Sequence, residues 1–294
     1  MRMAARAEFA QHYSQQGWVE HDVEDIWRSR YPCVPKGSFV RRNVRPALGG
    51  SGRFASLDCA TMLESLGSDL WFVDGRIVSF KGFDYPTRMV IVRLADGGLW
   101  LWSPIERTAA IEDEVRMLGP VRHIVSPNQL HYLFLAEWQA AFPEAHLWGT
   151  PATIAKCGGL HFSGALADDA PDQWRGQIDQ FYFANSLFMD EVIFFHRASR
   201  TAIIADLSQT FSESFLKRHW PWWMRAVARF SKMTEGLGYP PIDYRISFRR
   251  RASARPKIRE LIAKHAEHVV VAHGEVVRTG GEAFLRRAFF WLLK

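Results

Sequence analysis

The sequence predicts an α/β (α+β) protein in which helices cover a mixed system of β-strands, and three observations carry this prediction. Two β-branched and aromatic runs, residues 70–80 and 87–104, are interrupted by Asp-Gly and Asp-Gly-Gly, which favour tight hairpin turns. Strand and helix patterns then alternate over residues 106–157, and a second round of strands and helices occupies residues 178–294. Helices that alternate with strands in this way are expected to pack on the faces of sheets.

The first round of alternation follows from apolar periodicity and stop signals. Its elements are a helix at 106–120, a strand at 121–127, a helix at 130–143, a strand at 145–150 and a short helix at 151–157. In the first helix, Ile111, Val115 and Leu118 recur at helical spacing, and a Gly-Pro pair ends the pattern. The second helix is expected to begin at His131.

The second round contains a Trp-rich helical region. Its elements are strands at 178–183, 191–196 and 200–206, helices across 211–233, a helix at 255–266, a strand at 268–274 and a terminal helix at 280–294. The segment Lys217–Met233 combines Trp and Arg at helical spacing. We interpret it as a helical lid over the edge of the sheets, with the lining of a pocket and contact with a membrane surface as alternatives.

The first 65 residues have a different character. Residues 4–30 are polar with spaced aromatic side chains, which suits short helices, and the stretch that follows is rich in Pro, Gly and Arg. The sequence therefore predicts an N-terminal helical segment and extended arm over residues 1–65, followed by one main domain over residues 66–294. α/β domains often reach about 200 to 250 residues as one unit.

Composition is that of a globular protein, with 48% hydrophobic and 23% charged residues. The formal charge of +6 permits attraction to phosphates or anionic lipids without identifying a partner. Arginines cluster at 41–45 and 248–259, but no nucleic-acid-reading motif accompanies them, so we do not expect nucleic acid to be a partner.

Cysteine content and hydropathy indicate the cellular compartment in which the protein is expected. The three cysteines, Cys33, Cys59 and Cys157, form no CxxC pair, which favours a reducing compartment over a disulfide framework. No secretory signal and no run of about 18 apolar residues is found, so no transmembrane segment is expected. We expect a cytoplasmic protein for which peripheral membrane contact stays open.

Three chemically useful side chains follow strand patterns. They are His131 after "VSPNQL", Asp206 at the end of "AIIAD" and His273 at the end of "VVVAH". Two imidazoles and a carboxylate would form most of a zinc or iron site. Each residue also has an ordinary structural explanation, as a helix start, a turn cap and a turn residue respectively.

Four stretches, taken in order, resemble the metallo-β-lactamase-like superfamily. They are "TRMVIVRLADGGLWLWSPI", "GPVRHIVSPNQLHYLFLAEW", "DEVIFFHRASRTAIIADL" and "VVVAHG". Within that superfamily they are most similar to a family of bacterial and plastid proteins known only as a domain of unknown function. The resemblance covers roughly Leu66 to the C-terminus. It implies an αββα sandwich with the site along one edge of the two sheets.

The resemblance also implies a reduced metal site. Catalytic members carry an HxHxDH motif, and the corresponding window here is Ser126 to His131, in which only the last histidine remains. Ser126 and Asn128 stand at the first two histidines, and Leu130 replaces the acid. Residues 184–190 also lack the later histidine. The resemblance thus implies that His131, Asp206 and His273 match the ligands of the second metal.

Two functional hypotheses follow from this degenerate motif. The first is a metal-dependent hydrolase with at most a mononuclear site, binding Zn, Fe or Mn and acting on an unidentified ester, thioester or phosphoester. The second is a non-catalytic member that has lost the metal and binds a small molecule or a protein. The sequence assigns no catalytic residue and no substrate.

Overall fold

The computed structural model describes residues 62–294. The strands are β1 (Glu64–Ser65), β2 (Leu70–Phe80), β3 (Phe83–Arg93), β4 (Leu99–Trp102), β5 (Val121–Ser126), β6 (His146–Gly149), β7 (Phe162–Ala165), β8 (Ile178–Phe183), β9 (Glu191–His196), β10 (Thr201–Ile204) and β11 (His268–Val271). The helices are α1 (Ala109–Leu118), α2 (Leu135–Ala141), α3 (Pro151–Lys156), α4 (Glu213–His219), α5 (Trp222–Ser231), α6 (Ile242–Ser247), α7 (Arg251–Ala263), α8 (Gly281–Ala288) and α9 (Phe290–Leu293).

The N-terminal helices and arm expected before residue 62 lie outside the described residues. The first described strand, β1, pairs with β2. It begins at Glu64, two residues before the expected start of the main domain. The division at residue 66 stays a prediction.

The described strands form two mixed sheets. The larger sheet has the order β1-β2-β3-β4-β5-β6-β7, and the smaller has the order β11-β10-β9-β8. In the larger sheet the pairs up to β3–β4 are antiparallel and those from β4–β5 onwards are parallel. In the smaller sheet only the β10–β11 pair is parallel. This order of elements, hairpins first and then alternating strands and helices, is the order that the sequence predicts.

The period-two pattern of the strands assigns each face of the larger sheet. In β3, Val90 and Val92 point into the layer between the two sheets, whereas Met89 and Ile91 point to the opposite face. β4 follows the same rule, since its two tryptophans face the smaller sheet and its two leucines face the helices. Side chains of both sheets therefore share one central apolar layer.

Helices cover the outer faces of both sheets. α1 and α2 bury Val115 and Trp138 against the larger sheet. α7 and α8 bury Leu261 and Phe284 against the smaller sheet. The layers are therefore α, β, β and α, as the sequence resemblance predicted.

Two local predictions are corrected by the structure. β2 continues through Asp74 and Gly75, and the hairpin turn lies at Lys81 and Gly82, which both have positive φ. Gly75 serves a close approach instead, because a Cβ there would lie 2.8 Å from the Cβ of Ile105. The second helix begins at Leu135, four residues after His131.

A separate apolar cluster joins α4 and α5 to the rest of the protein. Leu216, Trp220 and Met224 are buried in it, and Phe83 and Tyr85 of β3 pack against it. Within the described residues, no helix is both long enough and apolar enough to cross a membrane.

Candidate metal site

The three predicted ligands come from the carboxyl ends of strands in both sheets. His131 lies in the turn after β5, Asp206 lies two residues after β10, and His273 lies two residues after β11. Since β10 and β11 are parallel neighbours, their ends meet at one edge of the smaller sheet. The end of β5 reaches this edge from the larger sheet.

The turn that carries His131 is held by its own polar side chains. The Ser126 hydroxyl lies 2.9 Å from the carbonyl oxygens of both Asn128 and His131 and donates to this pair. The Asn128 Oδ1 accepts from the Leu130 amide at 2.8 Å. Ser126 and Asn128 are completely buried, so these residues of the window build the turn.

The structure brings His131, Asp206 and His273 together. His131 Nε2 lies 3.3 Å from Asp206 Oδ2, and His273 Nε2 lies 3.5 Å from Asp206 Oδ1. One ligand atom from each residue falls within 4.8 Å of the others. Within residues 62–294 this is the one group of three His, Cys, Asp or Glu side chains with such spacing. The side chains are only 8%, 9% and 10% exposed, respectively.

Both imidazoles are oriented through their Nδ1 atoms. His273 Nδ1 lies 2.7 Å from the carbonyl oxygen of Pro86, and His131 Nδ1 lies 2.6 Å from Ser103 Oγ. A carbonyl oxygen only accepts hydrogen bonds, so His273 carries its proton on Nδ1. A hydroxyl can donate or accept, so Ser103 is compatible with either tautomer of His131. In metal sites, histidine ligands are held in this manner through the second ring nitrogen.

Asp206 is the charged centre of the group. It accepts hydrogen bonds from Asn128 Nδ2 at 2.8 Å and from Gln209 Nε2 at 3.3 Å. Burial acts to raise the pKa of Asp206, but the two neighbouring imidazoles outweigh it and hold the pKa well below its usual range. Burial lowers the pKa of His131, against the opposing effect of the Asp206 carboxylate. Asp206 is thus an anion in a nearly dry site.

Glu191, at the start of β9, supports the loop that carries Asp206. Its carboxylate is fully buried and accepts from the backbone amides of Ala205, Asp206 and Leu207 at 2.9 to 3.2 Å. Asn128 Nδ2 lies 3.4 Å from Glu191 Oε2. Burial and the Asp206 carboxylate raise the pKa of Glu191 to about 8, although the backbone amides act to lower it. The signal for this residue in the sequence is an acid directly before the apolar run of residues 192–195.

The chain crossing after His273 requires a glycine. Gly274 has φ +118°, and a Cβ there would lie 2.3 Å from the carbonyl carbon and oxygen of Thr210. The Thr210 amide donates to the His273 carbonyl oxygen at 3.0 Å, and the Glu275 amide donates to the Thr210 carbonyl oxygen at 2.9 Å. Two backbones therefore meet with no room for a side chain beside the candidate ligand.

The first hairpin and the end of β4 contribute site residues that the sequence did not indicate. The ring of Tyr85 packs against the imidazole of His273, with ring centres 5.2 Å apart. Burial, together with the carboxylates of Asp206 and Asp243, raises the pKa of Tyr85. Pro86 and Ser103 hold the two imidazoles, as described above. Only their positions in the folded chain connect them with the site.

The αββα sandwich is the fold of metallo-β-lactamases. Solved structures agree. A metallo-β-lactamase from Erythrobacter litoralis, with β-mercaptoethanol in its active site, is 14% identical, with a TM-score of 0.54, covering 78% of this chain and 95% of that one. One from Pontibacter korlensis is 13% identical, with a TM-score of 0.53, covering 78% and 97%. At these identities the likeness shows the fold.

Comparison by sequence gives shorter matches. Residues 69–157 match a family described as Domain of unknown function (DUF4336). Curated relatives include the glycerol kinase of Gluconobacter oxydans, 40% identical over 62 residues, which are 21% of this chain and 11% of the kinase. The glycerol kinase of Carboxydothermus hydrogenoformans is 48% identical over 42 residues, 14% of this chain and 8% of the kinase. The chain thus spans about a tenth of these relatives, which is too little to transfer their activity.

Proposed function

We propose that this chain is a metal-dependent hydrolase of the metallo-β-lactamase-like superfamily with a site for one divalent ion. His131, Asp206 and His273 are the proposed ligands. Zinc, iron and manganese each accept such a set of two imidazoles and a carboxylate. The proposed substrates are esters, thioesters or phosphoesters.

The observation that carries this proposal is the orientation of His273. Its Nδ1 proton is directed at the Pro86 carbonyl, so in the neutral imidazole Nε2 bears a lone pair. That lone pair faces the anionic Asp206 Oδ1 at 3.5 Å in a site that is about nine-tenths buried. Two electron-rich atoms in this position repel each other unless a cation lies between them. A divalent ion, or a proton on Nε2, supplies the missing positive charge.

The same surroundings support one ion in preference to two. Asp206 Oδ2 already accepts from the Asn128 amide. The window from Ser126 to Leu130 offers no imidazole and no carboxylate. A second ion would therefore lack the nitrogen and oxygen ligands on which such sites are built.

When bound, a divalent ion supplies Lewis acidity that activates water and polarises the oxygen of an ester. The chain's own residues prepare the site for it. Ser103 and Pro86 fix the two imidazole rings, and Asn128 with Gln209 fixes the Asp206 carboxylate. The scarcity of solvent around these groups strengthens every electrostatic interaction among them.

A second candidate function is a non-catalytic binding protein that keeps the sandwich. The Asn128 amide favours it, because a neutral donor already satisfies Asp206 and approaches Glu191. In that case His131 and His273 contact Asp206 without any ion.

Metal content separates a metal protein from a metal-free one. We expect about one equivalent of a divalent metal by plasma mass spectrometry in protein purified without chelator. His131→Ala, Asp206→Asn and His273→Ala are expected to lose it while keeping the circular dichroism of the folded protein. The matched control is His196→Gln. His196 is also buried, but it is the last residue of β9, whereas Glu191 beside the candidate site is the first. Wild-type protein with no metal above background overturns the proposal.

Catalysis needs a separate measurement. The metal-loaded protein is assayed with p-nitrophenyl esters, thioesters and phosphodiesters, alongside Asp206→Asn. We expect hydrolysis that disappears in this variant and persists in His196→Gln. Stoichiometric metal without hydrolysis of any class would favour the binding protein.

A further inference from the structure

Helix α5 exposes an apolar stripe. Four large side chains, Trp222, Trp223, Val227 and Phe230, are 72%, 47%, 42% and 75% exposed. Met224 and Ala228, on the other side of the helix, are buried in the apolar cluster beneath it. The exposed residues recur at helical spacing, so they form one continuous face of the helix. Isolated exposed apolar residues are ordinary, but four on one helix of ten residues form a patch.

The patch is firmly attached to the sandwich. Trp220, between α4 and α5, donates from Nε1 to the Asp84 carbonyl oxygen at 2.8 Å. The ring of Phe83 contacts the rings of Trp220 and Trp223, with ring centres 5.1 Å and 6.2 Å apart. The β2–β3 hairpin therefore supports the helix from below. The exposed stripe is a built surface of the folded protein.

The helices around the patch are strongly basic. Residues 213–232 contain five cations, Lys217, Arg218, Arg225, Arg229 and Lys232, against the single acid Glu213. Lys217 and Arg218 are exposed on α4, and Pro221 alone separates Trp220 from the start of α5. Apolar and cationic side chains thus occur within the same twenty residues, in which Arg229 is paired with Glu213.

We propose that α4 and α5 dock this protein on an anionic membrane surface. Tryptophan favours the boundary between headgroups and acyl chains, because its ring is apolar and its N–H can bond to polar groups there. The exposed stripe of α5 would lie at that boundary, and the basic residues would face the phosphates of the headgroups. The net charge of +6 on the whole chain adds long-range attraction of the same sign.

The size and composition of the patch favour lipid over a protein partner. At about 150 to 250 Å² for a whole aromatic side chain, the exposed parts of Trp222, Trp223 and Phe230 present roughly 300 to 500 Å². Stable protein interfaces bury about 800 Å² on each partner. Protein interfaces also deplete lysine relative to the rest of the surface, whereas anionic lipid attracts lysine and arginine alike.

The apolar half of the proposal is tested by co-sedimentation of the full chain with vesicles. We expect binding to phosphatidylcholine vesicles that contain about 30% phosphatidylglycerol and little binding to pure phosphatidylcholine. The double variant Trp222→Ser/Phe230→Ser is expected to bind roughly tenfold more weakly. The matched control is Met117→Ser, which removes an apolar side chain that is 78% exposed on α1. Equal binding by the double variant and the wild type overturns the proposal.

The role of the basic residues in membrane binding is tested by replacing two of them with acidic residues. Lys217→Glu/Arg218→Glu is expected to lower binding by more than tenfold, and about 0.5 M salt should have a similar effect on the wild type. Arg259→Glu, at an exposed position of α7, is the control and is expected to bind nearly as the wild type does. Absence of vesicle binding, with self-association of the wild type that Trp222→Ser/Phe230→Ser abolishes, would instead assign the patch to protein contact. The outcome of these two vesicle-binding tests does not depend on whether the protein binds a metal ion.

Discussion

Replacement of Ser103 by alanine probes how the candidate ligand His131 is held. The Ser103 hydroxyl is the partner of His131 Nδ1 at 2.6 Å, and both side chains are almost completely buried. The variant removes one oxygen atom and leaves the three proposed ligands in place. His131 then has no partner at Nδ1, and its ring is no longer fixed towards Asp206.

Two magnitudes follow from this contact. A buried ring nitrogen left without a partner costs about 1 to 3 kcal/mol of folding free energy, whether or not metal is present. Loss of the group that orients a histidine ligand weakens metal affinity by about 10- to 100-fold. We therefore expect Ser103→Ala to be less stable than the wild type and also less stabilised by added metal.

The control is Ser199→Ala. Ser199 Oγ lies 2.8 Å from His196 Nδ1 in a second buried serine–histidine pair, away from the candidate ligands. Metal affinity is measured by competition with a chromophoric chelator, and stability is measured by urea unfolding with and without chelator. Both variants should lose stability in chelator, but only Ser103→Ala should lose affinity. Equal metal affinity in the two variants would refute the role assigned to Ser103.

Three further predictions concern stability. Gly274→Ala should cost more than about 3 kcal/mol in urea unfolding, because its Cβ would meet backbone atoms 2.3 Å away, whereas Gly82→Ala, with open space around it, should cost about 1 kcal/mol from backbone strain. Arg88→Met should cost about 3 kcal/mol, because the buried guanidinium donates to two carbonyl oxygens at 2.7 Å; the same change at the half-exposed Arg93 should cost less than about 1 kcal/mol. Burial lowers the pKa of His123 to about 4 from 6.5, so the unfolded chain binds its proton first and stability should fall by roughly 3 kcal/mol as the pH drops through this window. Burial likewise lowers the pKa of His196 to about 4, so His123→Gln should reduce the pH dependence of stability without abolishing it, and an unchanged slope would contradict the assignment to His123.

The layered fold could be predicted because its signals are local. The apolar alternation in β3 and β4 and the helical spacing of Ile111 and Val115 are visible in short windows of sequence. The prediction of a hairpin turn at Asp74 and Gly75 was wrong, because the need for this glycine arises from a residue that is distant in the sequence. Gly75 is required by the approach of Ile105, which lies thirty residues further along the chain.

In the candidate site, too, some residues could be predicted from local sequence and others could not. His131, Asp206 and His273 could be proposed as a group because each follows a strand pattern. Their assignment as metal ligands stays a prediction, although the structure brings them together. The groups that orient them could not be inferred, since the partner of His131 is 28 residues away and the partner of His273 is 187 residues away. Pairings of this kind are set by the packing of whole sheets.

The backbone crossing at Gly274 has a consequence for how such sites decay over evolutionary time. His273 and Gly274 are adjacent, yet the first is proposed to serve an ion and the second serves the contact of two chains. A lineage that discards the ion can exchange the histidine at moderate cost. It cannot exchange the glycine without moving Thr210 and the end of the smaller sheet. The glycine after the last strand is therefore expected to persist in a sandwich whose ligands have all been replaced.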